Sequence, residues 1–281
     1  LTVTVGNYAF GLFSNASVTT AGMTFGGVNT YTRTGTAAQL TAAIQALSFV
    51  PVADTIAIGS TETAAFTIDV ADGLIAATAN TTATAIITPV NDAATIGGAS
   101  AGQAVNDTAN VSPFSAITFA DVDAPAQTFT LSVTLDTAAK GVFTSASLTS
   151  SGFTAAGGGV YTRSGTPSAL QTATRALAFD PSDNRVAVGM TETTTFTLSL
   201  SDGLIAAVTN STTTVISTSV NVAPTIGGAV ASQAVNDNAT ISPFTAVTIA
   251  DADNDSLAIT VSIDTAAKGV FTPASLTASG F

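Results

Sequence analysis

The sequence predicts an all-β protein built of tandem β-sandwich domains, and three observations carry that expectation. The first is a long repeat. Val90-Asn91-Asp92-Ala93-Ala94-Thr95-Ile96-Gly97-Gly98 returns as Val220-Asn221-Val222-Ala223-Pro224-Thr225-Ile226-Gly227-Gly228, an offset of 130 residues between positions 90 and 220. That period is domain-sized and longer than a solenoid repeat. The second is alternation of apolar and hydroxyl residues with period two, the pattern of a half-buried strand. The third is composition: 46% hydrophobic and only 9% charged, dominated by Thr, Ala, Ser, Val and Gly. Such a mixture suits pleated, half-buried surfaces better than Glu- and Lys-rich helices.

Leu1–Val5 alternates, and so do Phe129–Leu135 and Leu257–Ile263. Gly11-Leu12-Phe13-Ser14 is echoed by Gly141-Val142-Phe143-Thr144 and by Gly269-Val270-Phe271-Thr272, the last echo 128 residues on, so the loop around 251–256 is two residues shorter. Insertions and deletions of that kind belong on the surface. Tyr31-Thr32-Arg33 repeats as Tyr161-Thr162-Arg163. One short helix per repeat follows, near 40–47 and 167–177. Leu40, Ala43, Ile44 and Leu47 share a face, and Thr166 and Pro167 supply an N-cap and a first helical residue. Pro51 and Pro181 lie beyond the helix ends, where the chain cannot continue as helix. The alternating runs Phe66–Val70 and Phe196–Leu200 lead to the turn signals Asp72-Gly73 and Asp202-Gly203. Return strands at 81–87 and 212–216 then enter the junctions.

In this register residues 1–91 form a partial repeat lacking its N-terminal strand, 92–221 a complete repeat, and 222–281 a partial repeat lacking its C-terminal half. The chain opens in mid-pattern at Leu1 and reads as an excerpt of something longer. The segment 222–281 is expected to be completed by further copies of the same repeat, in the continuing chain or in a neighbouring subunit.

Composition also excludes functions. With no Cys and no His there is no disulfide framework, zinc site or His-dependent catalytic triad. Six Lys+Arg against 18 Asp+Glu give a net charge of −12, unsuited to a nucleic-acid backbone or an anionic membrane surface. No run approaches the ~20 apolar residues of a membrane helix, so membrane insertion is not expected. An enzyme is not expected either, because the acids sit in repeated turn positions, and Gly157-Gly158-Gly159 lacks the Lys of a phosphate loop.

Val-Asn-Asp-Ala at a domain junction, Phe-Ala-Asp-Val-Asp ahead of an alternating strand, Ala-Leu-Ala-Phe-Asp-Pro, and Phe-Thr-Leu-Ser-Leu-Ser-Asp-Gly together resemble the cadherin-like tandem repeats of giant bacterial surface adhesins, often exported by type I secretion. The resemblance covers the whole chain. It implies Ig-like or cadherin-like sandwiches, calcium at domain junctions, and a structural or adhesive role outside the cell. The second junction departs from the pattern, with Val222 and Ala223 where the first has Asp92 and Ala93, and the Glu-rich calcium motif of animal cadherins is absent.

The best cation candidates among the residues are Asp121-Val122-Asp123 and Asp251-Ala252-Asp253-Asn254-Asp255. Calcium takes six to eight oxygen ligands, and an Asp-x-Asp turn offers two carboxylates. Strand order in a seven-stranded sandwich puts Asp121 and Asp123 at the far pole with Asp180, Asp183 and the exit into Asn221. It puts Asp136 and Asp202 at the near pole facing Asn91 and Asp92, and points Asp54 of the preceding repeat at the same junction. The competing reading is that Asp and Asn serve here as turn formers. The expected function is a spacer or self-associating stalk of an extracellular adhesin or fibre. The alternatives are a filament or surface-layer subunit built by strand completion between subunits, and a carbohydrate-binding module with Tyr31 and Tyr161 stacking on a surface or glycan ligand.

Overall fold

The computed structural model describes residues 1–123 and 127–281. The chain falls into two compact parts, Leu1–Val186 with Met190–Ser219, and Ala187–Gly189 with Val220–Phe281. Strands predominate and the fold is all-β.

The complete repeat shows how the pattern becomes a sheet. In Phe129–Leu135 the residues Phe129, Leu131, Val133 and Leu135 are buried, while the intervening Thr130, Ser132 and Thr134 are not. That alternation seats the strand between two antiparallel neighbours, Val160–Gly165 and Thr191–Ser201. The whole sheet runs Gln103–Asn106, Thr214–Thr218, Thr191–Ser201, Phe129–Leu135, Val160–Gly165, Thr154–Gly157, with Val208–Asn210 also paired to Thr191–Ser201. Its pairs are antiparallel except one: Gln103–Asn106 lies parallel to Thr214–Thr218. The first repeat builds the same order from Thr24–Gly27, Thr30–Thr32, Thr2–Val5, Glu62–Val70 and Thr78–Asn80, with Thr84–Ile87 also on Glu62–Val70.

Two-stranded ribbons complete each repeat. Gly141–Phe143 pairs with Phe179–Pro181, and Gly11–Phe13 with Phe49–Pro51. Thr95–Gly97 pairs antiparallel with Thr118–Ala120, and Thr225–Gly227 with Thr248–Ala250. The repeated Gly-Gly explains itself here. Gly98 has φ +69°, and a Cβ on it would stand 1.9 Å from the Ala116 carbonyl oxygen; Gly228 repeats the arrangement at 1.8 Å from that of Ala246.

Helices Ala37–Gln45 and Pro167–Arg175 occupy the expected places, capped by the Thr36 and Thr166 hydroxyls. A second short helix per repeat lies outside the sequence expectation: Asn15–Thr20, Ser145–Ser151 and Pro273–Ser279, each opened by a Ser or Thr side-chain cap. Ser145–Ser151 carries Leu148 as its one large apolar residue, so it lacks an amphipathic period. The expected strand Leu257–Ile263 is not formed. Its counterpart Phe129–Leu135 is held on both sides by other strands, and among the described residues Leu257–Ile263 has no such neighbours.

The core of the complete repeat centres on phenylalanines. Phe114 is 1% exposed, with ring centroids 5.3 Å from Phe196 and 6.1 Å from Phe143, and Phe179 stands 5.0 Å from Phe196. Phe13, Phe49 and Phe66 form the corresponding cluster of the first repeat at 5.2–6.3 Å, but each is only half-buried. Tyr31 and Tyr161 are buried against Phe13 and Phe143, so neither ring is free to stack on a sugar. Among the described residues no helix is long and apolar enough to cross a membrane.

Candidate metal centre

The antiparallel pairing of Thr95–Gly97 with Thr118–Ala120 decides where the acids go. The chain leaves the Asn91 junction along the first of these strands and comes back along the second. Asp121 and Asp123 are thereby delivered beside Asn91 and Asp92, not to the opposite pole with Asp180 and Asp183. The expectation that these two pairs converge is corrected on that ground.

Asp123 is the hub. It is buried, and its Oδ2 accepts from the Asp92 amide at 3.0 Å and from Gln127 Nε2 at 3.2 Å. Its own amide donates to Asp121 Oδ1 at 2.9 Å, a local Asx turn that fixes the loop. Asn91 Nδ2 donates to Asp202 Oδ2 at 2.7 Å, and Gln127 Nε2 reaches Asn91 Oδ1 at 3.3 Å. Asp202 Oδ1 accepts the amides of Leu204 and Ile205 at 2.9 and 3.3 Å. Asp54 comes in from the first repeat, at φ +57°. One carboxylate oxygen from each of Asp54, Asp92 and Asp123 lies within 4.8 Å of the others.

The electrostatics are those of crowded acids. Burial, then the charges of Asp92 and Asp123, raise the Asp54 carboxyl above its ordinary value. Burial is also the main cause raising Asp121, with the charges of Asp123 and Asp202 adding to it against the Asp123 amide. Burial pulls Asp202 upward too, but its hydrogen bonds from Leu204, Asn91 and Ile205 together outweigh it, and the net direction is down. Among the described residues Asp121 Oδ2 is buried with no hydrogen-bond partner. A buried, unpaired carboxylate oxygen is costly unless a proton or a cation meets it.

The remaining predicted residues lie elsewhere. Asp180 and Asp183 sit with the buried Asp107, whose Oδ2 accepts the Asn184 amide at 3.1 Å. Burial, then the charges of Asp107 and Asp180, raise Asp183. Asp136 does not face Asn91: it pairs with Lys140 Nζ at 2.7 Å, and the Lys140 carbonyl accepts the Ser182 amide at 3.0 Å. In the second compact part the Asp253 amide donates to Asp251 Oδ1 at 2.9 Å and Asp253 Oδ2 accepts the Val222 amide, repeating the Asp121–Asp123–Asp92 latch. Asn221 and Asp255 are exposed. The Asp-x-Asp turn is therefore a structural latch in both copies, and only the first copy adds Asp54 and Asp92. In sequence register the second junction has Asn184 in place of Asp54 and Val222 in place of Asp92, and Asn184 keeps the left-handed backbone at φ +56°.

Sequence reasoning does not single out Gln127 or Asp107. Nothing marks Gln127. Asp107 has a signal, since Asn106-Asp107 recurs as Asn236-Asp237.

Fold and site define an all-β tandem-repeat protein with an oxygen-only acidic cluster to which two successive repeats contribute. No family model and no curated protein matches the chain. Among solved structures, domains 4–9 of the surface layer protein SbsC align at 14% identity with a TM-score of 0.24, covering 74% of this chain and 26% of that one. At that TM-score the likeness defines neither a fold nor a function.

Proposed function

We propose that this chain is a structural repeat region of an extracellular fibre or adhesin stalk. Calcium, held by Asp54, Asp92 and Asp123, ties the first repeat to the second. The observation that carries the reading is the origin of the three carboxylates: one comes from the repeat before the junction and two from the repeat after it. Oxygen donors without any nitrogen or sulfur suit a hard cation. Among the described residues Asp121 Oδ2 in the same loop is unpartnered, but so is Asp253 Oδ1 in the second copy, so the convergence of Asp54 and Asp92 on Asp123 is what sets the first junction apart. A bound calcium would neutralise the cluster and couple the two repeats. The second junction, with Asn184 and Val222 in register, would bind weakly or not at all.

The test is thermal unfolding of the whole chain with and without calcium. Binding to the folded state alone stabilises by about 2.7 kcal/mol at a hundred times the dissociation constant. The substitution Asp54→Asn keeps a residue type suited to the left-handed backbone, which Asn184 adopts at the equivalent place. It should leave the melting temperature in EDTA unchanged or higher, and should shrink the calcium increment. A wild-type chain indifferent to millimolar calcium, or an Asp54→Asn chain with the full increment, would refute the reading.

A further inference from the structure

One edge of the complete repeat's sheet carries a cation that the fold does not neutralise. The chain has 6 Lys and Arg against 18 Asp and Glu, so acids outnumber the basic side chains. Lys140, Arg185 and Lys268 pair with Asp136, Glu192 and Asp264. Arg33 donates to the Ala21 carbonyl and Arg175 to that of Ile117. Arg163 is the sixth. It is half-buried, and among the described residues its guanidinium meets neither a carboxylate nor a carbonyl.

Strand lengths make an opening beside it. Val160–Gly165 has six residues, while its outer neighbour Thr154–Gly157 has four and begins with Thr154 opposite Thr162. Ser164 therefore stands past the end of the edge strand. Ladder parity turns its main-chain N–H and C=O to that open side. In the first repeat Arg33, the counterpart of Arg163, exchanges both its main-chain bonds with Leu1 at 3.0 and 3.1 Å. Arg163 stands in the same register opposite Leu131, so the next residue faces outward.

The opening is a shallow groove of about 460 Å³ lined by Thr130, Gly152, Thr154, Thr162, Arg163 and Ser164. Apart from the guanidinium, every side chain in that lining is a hydroxyl. Those of Thr130 and Ser164 meet at 3.1 Å. A Cβ on Gly152 would stand 3.0 Å from Arg163 Nη1, so the bare backbone there leaves the guanidinium its place. The groove is separate from Tyr161, whose ring is buried.

We propose that this groove binds a sugar acid, a hydroxylated ring bearing one carboxylate. The guanidinium is a planar fork that takes a carboxylate through two parallel bonds. Hydroxyls both donate and accept, and so does the main chain of Ser164, which suits the hydroxyls of a ring. The volume is at the lower end of small-molecule sites, roughly 300–1,000 Å³. A net charge of −12 repels a polyanion far more than a single carboxylate. The ligand is therefore a free or chain-terminal sugar acid and not an internal residue of a polyuronate. None of these residues belongs to the acidic cluster at the junction, so binding is independent of calcium.

The experiment uses the full 281-residue chain, ¹⁵N-labelled, in EDTA at constant ionic strength. Sodium glucuronate is titrated to about 50 mM, with glucose and sodium acetate as controls, a range that covers the millimolar dissociation constants of a small open site. The Ser164 amide and the Arg163 Nε–H resonances should shift and saturate with glucuronate. Glucose, lacking the carboxylate, and acetate, lacking the hydroxyls, should each bind at least about tenfold more weakly. Arg163→Gln should abolish saturation with an unchanged far-UV circular dichroism spectrum. Arg163→Lys keeps the charge without the fork and should weaken binding about tenfold. Thr130→Val with Ser164→Ala should weaken glucuronate and leave acetate unchanged. An oligosaccharide ending in glucuronate should bind as the monosaccharide does, and a polyglucuronate with blocked ends should not. Absence of a saturable shift in the wild type overturns the proposal, as does acetate binding as tightly as glucuronate, which would mark a bare anion site. A folded Arg163→Gln chain that binds like the wild type overturns it too. So does a wild type that dimerises through Arg163 without responding to glucuronate, since the guanidinium would then take a carboxylate of a second copy. With EDTA present throughout, these outcomes are separate from those of the metal centre.

Discussion

Replacing Phe114 by Ala should open the complete repeat where the segment 95–120 packs on its sheet, while leaving the preceding repeat unchanged. The ring is 1% exposed and touches Phe143 and Phe196, so little can collapse to fill its place. A buried aromatic removes roughly 150–250 Å² from water, and at ~25 cal/mol per Å² that is about 4–6 kcal/mol. Measured Phe-to-Ala losses run about 3–5 kcal/mol, so about 4 kcal/mol is expected. Hydrogen exchange read by mass spectrometry on peptides covering 129–135, 191–201 and 62–70 separates the two repeats, which bulk unfolding of a multidomain chain would not. At about 1.4 kcal/mol per decade, protection in the first two peptides should fall about a thousand-fold. The peptide at 62–70 should not change. Phe244→Ala, at a ring 50% exposed that meets Phe271 at 6.1 Å, should cost less, about 1 kcal/mol. Equal losses at Phe114 and Phe244, or a loss below a tenfold change at 129–135, would rule out the segment 95–120 as the closing element of the complete repeat.

Two further expectations follow from geometry and charge. Gly98→Ala must place a methyl where the Ala116 carbonyl stands, on a backbone at φ +69°, so it should destabilise the complete repeat by roughly 2 kcal/mol or more in urea unfolding. For pH, burial first and neighbouring acids second raise Asp121 from the ordinary value of 3.8, so the native state holds that proton more tightly than the unfolded chain. Its contribution therefore lowers stability as pH rises through the window above 3.8, and Asp121→Asn should flatten the pH profile there in EDTA. Asp72, lowered by the amides of Leu74 and Ile75, works in the other direction, its contribution being lost as pH falls below 3.8.

Much of the sheet is legible in the sequence because burial enforces a period. Phe129–Leu135 can be read from its alternation alone, and Thr166 with Pro167 announces a helix start that the backbone bears out. Short elements carry no period. Thr95–Gly97 and Thr118–Ala120 are three residues each, and without them the return of the chain to the junction is invisible. Strand counting that omits them sends Asp121 and Asp123 to the wrong pole. The helix Ser145–Ser151 escapes for a related reason, since its start is written in one threonine hydroxyl and not in a hydrophobic face. Asp54 is legible as a junction residue because strand order puts its loop at the same pole as the exit of its own repeat. Its replacement by Asn184 at the same backbone conformation is what distinguishes the two junctions.

The parallel pairing of Gln103–Asn106 with Thr214–Thr218 has a mechanical consequence. These are strands near the beginning and the end of one repeat, and they run side by side in the same direction. Tension applied at the two ends of the repeat drags them past one another along their own axes. The load falls on all the bonds of the pair together, as shear, and does not peel them open one after another. Rupture then requires the whole rung set to fail in a single event, so the repeat should hold its length under a steady pull and yield abruptly.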